Sequence, residues 1–208
     1  MVTKRDIPKA IGRPPKSGMP SRPLTSAERK RLLLVANEGA RATRNVALIQ
    51  LGFGSGMRIG ELVSLKIADV MSANGKVRDQ IVLGMTKNGK SHRVYLTKQG
   101  LKALETYLSS LPERYKNPEC PLFRSQKSGF LSPSSGSRLI VGLLKKAGIE
   151  KVGGSHSIRK SLASELYKHC GNLKVVSKVL NHSSLAVTSR YIGVTSEEIS
   201  TAVAGLKL

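Results

Sequence analysis

Apolar residues recur at three- and four-residue steps along most of the chain, a spacing that predicts a mainly helical fold. Thr25-Ser26-Ala27-Glu28 fits a capping box, and Leu32, Leu33, Val35 and Ala36 after it predict a first helix. A second helix fits 41–53, where Val46, Ala47, Ile49, Leu51 and Phe53 are apolar, and Gly52, Gly54 and Gly56 are expected to break it. A short helix follows at about 57–65. Further helices fit 98–110, 133–147, 155–170, 172–181, 185–192 and 196–205. In 155–170, Ile158, Leu162, Leu166 and Cys170 fall four residues apart. Only 77–85 and 91–96 read as strands, and Asn88-Gly89 between them is a hairpin turn signal. The expected class is mainly α with a small antiparallel β-sheet (α+β). The pattern contains no internal repeat and no phosphate loop of the Walker type.

Residues 1–24 break the pattern. Lys4, Arg5, Lys9, Arg13, Lys16 and Arg22 face one acid, Asp6, and five of the nine prolines lie here. Such a segment cannot bury a core and reads as an extended basic arm, leaving 25–208 as the folded domain. Gly12-Arg13-Pro14-Pro15-Lys16 resembles the Gly-Arg-Pro centre of AT-hook arms, which would make Arg13 and Lys16 minor-groove contacts. An ordinary solvated basic tail explains the same three-residue match.

Charge changes the picture most. Lys and Arg total 35 against 13 Asp and Glu, a formal net charge of +22. Such an imbalance points to a polyanionic partner: DNA, RNA or an acidic membrane surface. No apolar run approaches the roughly 18 residues of a membrane span, and the basic N-terminus lacks the apolar stretch of a secretory signal. Cys120 and Cys170 show no metal or redox spacing, which suggests a reducing, cytoplasmic setting.

Three islands carry candidate chemistry. In Ser55-Gly56-Met57-Arg58-Ile59-Gly60-Glu61-Leu62, Arg58 opens a helix after a Gly-rich break, and Glu61 lies one turn on, where it can hold the guanidinium. Alone, this is a surface ion pair. In His156-Ser157-Ile158-Arg159, His and Arg share a helix face beside the apolar stripe, so both are expected half-buried at a rim. They have no nearby carboxylate and suit an anion, although a solvated polar pair fits equally. In the third island, Asn181-His182 follows a helix end, with Asn181 a left-handed cap, and Tyr191 comes nine residues later.

The ordered set resembles the catalytic domain of the tyrosine recombinase, or phage integrase, family. The matching residues are Arg58 in Gly-x-Arg-x-x-Glu, Lys87 in the hairpin, His156 and Arg159 in His-x-x-Arg, then His182 and Tyr191. Arg159 and His182 lie 23 positions apart, and the next interval is nine, both as is usual in the family. Asn181 stands where Gly is usual before His182, and Ser157 where Asp is common after the motif His. The resemblance covers about 25–200. With about 24 residues before it, the chain resembles the small single-catalytic-domain members.

The resemblance implies site-specific recombination of DNA by transesterification. Tyr191 would attack phosphorus and form a 3′-phosphotyrosyl bond, and no metal, ATP or other cofactor would be needed. Arg58, Arg159 and His182 would hold the phosphate oxygens, with Glu61 steadying Arg58. His156 would be the base or its orienter, and Lys87 the acid for the leaving 5′-oxygen. Double-stranded DNA is the implied partner, bound by a homotetramer on two sites. Accessory DNA-bending proteins are optional partners, and the last helix (Ile199, Val203, Leu206) would dock on a neighbour or on its own domain. The outcome would be integration, excision or inversion, as in a mobile element. Two alternatives stay open: a type IB topoisomerase-like nicking-closing enzyme, and a non-enzymatic basic nucleic-acid-binding protein. Metal-dependent cleavage is disfavoured, because only Asp6, Asp69 and Asp79 exist and none clusters with Glu61 in sequence.

Overall fold

The structure, a computed structural model, describes residues 21–84, 91–125 and 129–193, with 200 and 204 as single positions. Arg13, Lys16, Lys87 and most of the expected helix 196–205 lie outside the described residues.

Helix α1 (Ser26–Ala36) starts at the expected capping box. The Thr25 hydroxyl accepts from the Glu28 amide, and the Glu28 carboxylate accepts from the Thr25 amide at 2.8 Å. Arg22 also donates to that carboxylate at 2.8 Å and holds its pKa down at about 2.

Helix α2 (Ala42–Ser55) runs through Gly52 and Gly54, contrary to the expected break there. Both glycines mark close packing. A Cβ on Gly54 would collide with Thr97, and one on Gly52 would sit 3.1 Å from Ile158. The helix stops only at Gly56, whose φ of 67° is left-handed. A Cβ there would meet Leu180 at 2.9 Å and Leu162 at 3.0 Å. The close of α2 is therefore pressed against the C-terminal part of the domain.

The helix expected at about 57–65 is α3 (Ile59–Val63), opened by Arg58; a further turn, α4 (Ile67–Val70), lies beyond the expected span. Asp69 starts this second piece by accepting from the Lys66 amide at 2.7 Å. The strands are shorter than their apolar runs: β1 (Gln80–Leu83) pairs antiparallel with β2 (His92–Tyr95). Ile81 faces Val94 on the buried side, while Val82 and Tyr95 are exposed. Helices α5 (Lys98–Ser110), α6 (Pro133–Lys146), α7 (Ser155–Cys170) and α9 (Leu185–Ile192) follow the predicted spans closely. Helix α8 (Leu173–Val179) is shorter than predicted. Asn172 caps its start, and Asn181, at φ 49°, takes the left-handed conformation expected of it one place past Leu180.

The main core gathers Leu48, Ile49 and Leu51 of α2, Leu104 of α5, Ile158 of α7, and Ile81 and Val94 of the sheet. Each fully buried aliphatic side chain contributes about 1.5–3 kcal/mol of transfer free energy. A second, small cluster joins Ala163, Val176 and Leu180, with Leu166, Tyr167, Tyr191 and Ile192 packed against it. The candidate residues lie at the seam between the two. Among the described residues no helix is long and apolar enough to cross a membrane.

Candidate active site

The fold brings the three sequence islands together. Arg58 caps α3 immediately after the left-handed Gly56. Glu61, one turn on, accepts from the Arg58 amide at 2.7 Å and from its guanidinium at 3.1 Å. The Arg58 side chain remains half-exposed, able to turn outward to a ligand.

Arg159 departs from the expected rim position: only 5% of it is exposed. Its two terminal nitrogens donate to the carbonyls of Gly56 and Leu180. The buried fork thus has main-chain partners from both sides of the seam, which local sequence does not reveal. His156, three residues earlier on α7, is exposed. The half-buried pair is therefore split, because α7 turns Arg159 into the seam and leaves His156 at the surface.

Tyr191 lies near the end of α9, partly buried against the small cluster. Its hydroxyl donates to the main-chain carbonyl of His156 at 3.0 Å and lies within the field of the Arg159 guanidinium. His182 stands edge-on to the Tyr191 ring, centroids 5.4 Å apart, and its Nδ1 shares a 2.9 Å hydrogen bond with the buried Thr188 hydroxyl. Lys160 lies 5.8 Å from the centroid of the same ring.

This arrangement occurs in a chain whose residues 22–198 match the family model described as the phage integrase family. The chain belongs to that family. Among its relatives, tyrosine recombinase XerC of Mesorhizobium japonicum is 31% identical over 182 residues, 86% of this chain and 57% of the relative. The XerC of Rhizobium meliloti is 33% identical over 79% of this chain and 50% of its own length. The chain thus spans about half the length of these curated relatives. In solved structures, XerA recombinase superposes with a TM-score of 0.74 at 27% identity, over 94% of this chain and 68% of that one. XerH recombinase bound to its difH substrate gives 0.70 at 26%, over 88% and 52%. The catalytic domain of bacteriophage HP1 integrase shares the fold, with a TM-score of 0.60 at 21% identity over 89% of this chain and 95% of that domain.

In this integrase-family site, electrostatics set the resting protonation states. Burial pushes the Tyr191 phenol above its ordinary pKa; the charges of Arg159 and Arg58 pull the other way without cancelling the shift. Tyr191 therefore rests as the neutral phenol at pH 7. Burial, then Arg159 and Arg58, push His182 below its ordinary value, so its imidazole is neutral at pH 7. Thr188 engages Nδ1, which leaves Nε2 as the His182 ring nitrogen that can meet a ligand. Burial and neighbouring Arg58 also lower Arg159, whose guanidinium nonetheless stays charged.

One residue at the site escaped the sequence reading. His92 opens β2 with the same inward parity as Val94, and its ring lies near the Val179 main chain. It feels the charges of Glu61, Arg159 and Arg58, while burial lowers its pKa. The two-residue alternation back from Val94 was the signal that could have found it. Among the described residues no three His, Cys, Asp or Glu gather as a metal site.

Proposed function

We propose that this domain is a site-specific DNA recombinase that cleaves and rejoins strands through Tyr191. The observation that carries the reading is convergence: His182 packs on the Tyr191 ring, and the charges of Arg159 and Arg58 both reach the Tyr191 hydroxyl. A phosphodiester seated between Arg58 and Arg159 would present its phosphorus to the phenol oxygen. The Tyr O–P bond forms as the P–O5′ bond breaks, giving a 3′-phosphotyrosyl link and a free 5′-hydroxyl. A 5′-hydroxyl of a second strand reverses the step. No ATP enters, because the phosphotyrosyl link keeps the phosphodiester's free energy.

The planar forks of the two arginines, with His182 Nε2, stabilise charge developing on the non-bridging oxygens. The His156 carbonyl orients the phenol but is too weak a base to take its proton. The His156 imidazole is the proposed acceptor. Lys87 is the proposed donor to the leaving oxygen, which is far more basic than phenolate. Glu61 keeps Arg58 aimed. Arg13 and Lys16 are assigned to a DNA-contacting arm, the duplex is the partner, and pairing of two sites by four copies is the proposed assembly.

A suicide DNA substrate tests the chemistry, since a nick lets the short fragment bearing the freed 5′-hydroxyl escape and traps the covalent link. The expected result is a protein–DNA adduct on a denaturing gel, formed in EDTA and absent with Tyr191→Phe. An adduct that survives this substitution, or a strict need for Mg²⁺, would overturn the reading. A plasmid with two target sites then separates recombination from simple relaxation.

A further inference from the structure

His182 is held from two sides. It follows the left-handed Asn181, and its amide donates to the Ser177 carbonyl of α8 at 3.0 Å. Its ring packs on α9. Nδ1 lies 2.9 Å from the Thr188 hydroxyl, and the ring stands at 85° to that of Tyr191. Thr188 and Tyr191 are three residues apart on α9 and so share a face. Ser184 fixes the start of that helix, its hydroxyl accepting from the Val187 amide at 3.4 Å. With its main chain on α8 and its ring on α9, His182 has little room to turn.

Thr188 is fully buried, and packing alone does not call for a hydroxyl there, since valine would fill the same space. A buried hydroxyl is costly when its hydrogen has no acceptor. Among the described residues this hydroxyl has no hydrogen-bond partner other than His182.

That single contact settles where the ring carries its hydrogen. A hydroxyl has one hydrogen and two lone pairs, whereas a neutral imidazole has one N–H and one bare nitrogen. If Nδ1–H donated to Thr188, the hydroxyl hydrogen would point into packed interior with nothing to receive it. If the hydroxyl donates to Nδ1, its hydrogen is satisfied and the ring carries its own on Nε2. The two tautomers have opposite chemistry at a phosphate. Nε2–H donates to a non-bridging oxygen, whereas a bare Nε2 lone pair repels it.

We propose that Thr188 is a positioning residue: its hydroxyl donates to His182 Nδ1 and locks the ring in the tautomer that offers Nε2–H to the scissile phosphate. The proposal rests on the recombinase reading of the Tyr191 site. It also ties one phosphate donor to the helix that carries the nucleophile, so the two are delivered together.

The test uses the full chain with Thr188→Val, which keeps the shape and removes the hydroxyl, and Thr188→Ser, which keeps the hydroxyl. The chain has four histidines, and His182→Ala assigns the ring signals of this one in nitrogen-15 spectra. At pH 7 the native ring should carry its hydrogen on Nε2. Thr188→Val should give a mixture of tautomers, and Thr188→Ser the native pattern. A native ring protonated on Nδ1, or an unchanged pattern in Thr188→Val, would overturn the proposal. The native and serine spectra decide it even where the valine variant folds poorly. On the suicide substrate, Thr188→Val should form adduct about tenfold more slowly with duplex affinity retained, and Thr188→Ser should recover most of the loss. In a His182→Ala background, Thr188→Val should change the rate by no more than about twofold, because its effect passes through the ring. A full tenfold loss there would make Thr188 a packing residue of α9 and overturn its role. Absence of adduct with the native chain would instead sink the Tyr191 reading, while the spectra still decide the Thr188 bond.

Discussion

The large core beneath α2, α5 and α7 and the small cluster beneath α8 and α9 differ sharply in scale. The first fixes Arg58 and Glu61 at the end of a 14-residue helix that is buried along much of its length. The second carries Tyr191 and His182 on a platform of three buried side chains, Ala163, Val176 and Leu180. Arg58 thus sits on the rigid part, and Tyr191, the proposed nucleophile, with His182 on the lightly held part. Arg159 spans the seam through the carbonyls of Gly56 and Leu180, and His92 lies beside it. Regions with few buried apolar contacts open locally at low cost, so the α8–α9 segment is expected to open before the core does.

Removing the bridge should have the largest effect. Arg159→Ala takes away a phosphate fork and leaves the Gly56 and Leu180 carbonyls without their donor. Suicide-substrate cleavage should fall by about a hundredfold or more, and thermal melting should show a loss of stability of about 1–3 kcal/mol. Cleavage within tenfold of native would break the claim that the seam is functional.

A matched pair of truncations comes next. Leu51→Ala in the large core should lower global stability by about 2–5 kcal/mol, read as a shifted denaturant midpoint. Leu180→Ala should act more locally, raising amide exchange across α8 and α9 while core amides keep most of their protection. Equal exchange in both regions would erase the distinction between them.

His92→Leu should slow cleavage by about tenfold with DNA affinity retained, and His92→Gln, which keeps a polar group beside Arg58 and Arg159, should recover part of the loss. Parallel losses in both variants would make His92 a packing residue only.

The smallest effect is on acidification. His182 has a folded pKa below the unfolded value near 6.5. The fold therefore favours the neutral ring, and the stability this gives is present above pH 6.5 and lost as pH falls toward the depressed value. Exchange across α9, corrected for intrinsic rates, should quicken between pH 7 and pH 5 while that of α5 does not. No change in α9 would place His182 outside the linkage.

These contrasts were unevenly legible in the sequence. Helices α5, α6, α7 and α9 announce themselves through apolar spacing and caps such as Thr97 and Ser132. The run of α2 through Gly52 and Gly54 does not, because glycine signals a break locally and only the partners Thr97 and Ile158 give it a packing role. Arg58, Glu61 and the Asn181 turn follow from local rules. Burial of Arg159 depends on two carbonyls, one 103 and one 21 residues away. His92 stands two residues from a buried valine, but the charged groups around it, Arg58, Glu61 and Arg159, come from distant parts of the chain.

The double grip of Arg159 also works as an interlock. Its fork is aimed only while the carbonyls of Gly56 and Leu180 face each other across the seam. A copy whose α8–α9 segment has come away loses its nucleophile and the aim of its guanidinium in the same event. Such a molecule can still touch a duplex through its many cations, but it has no means of nicking one. On the proposed chemistry, partial unfolding therefore leaves an inert binder and not a misdirected nuclease.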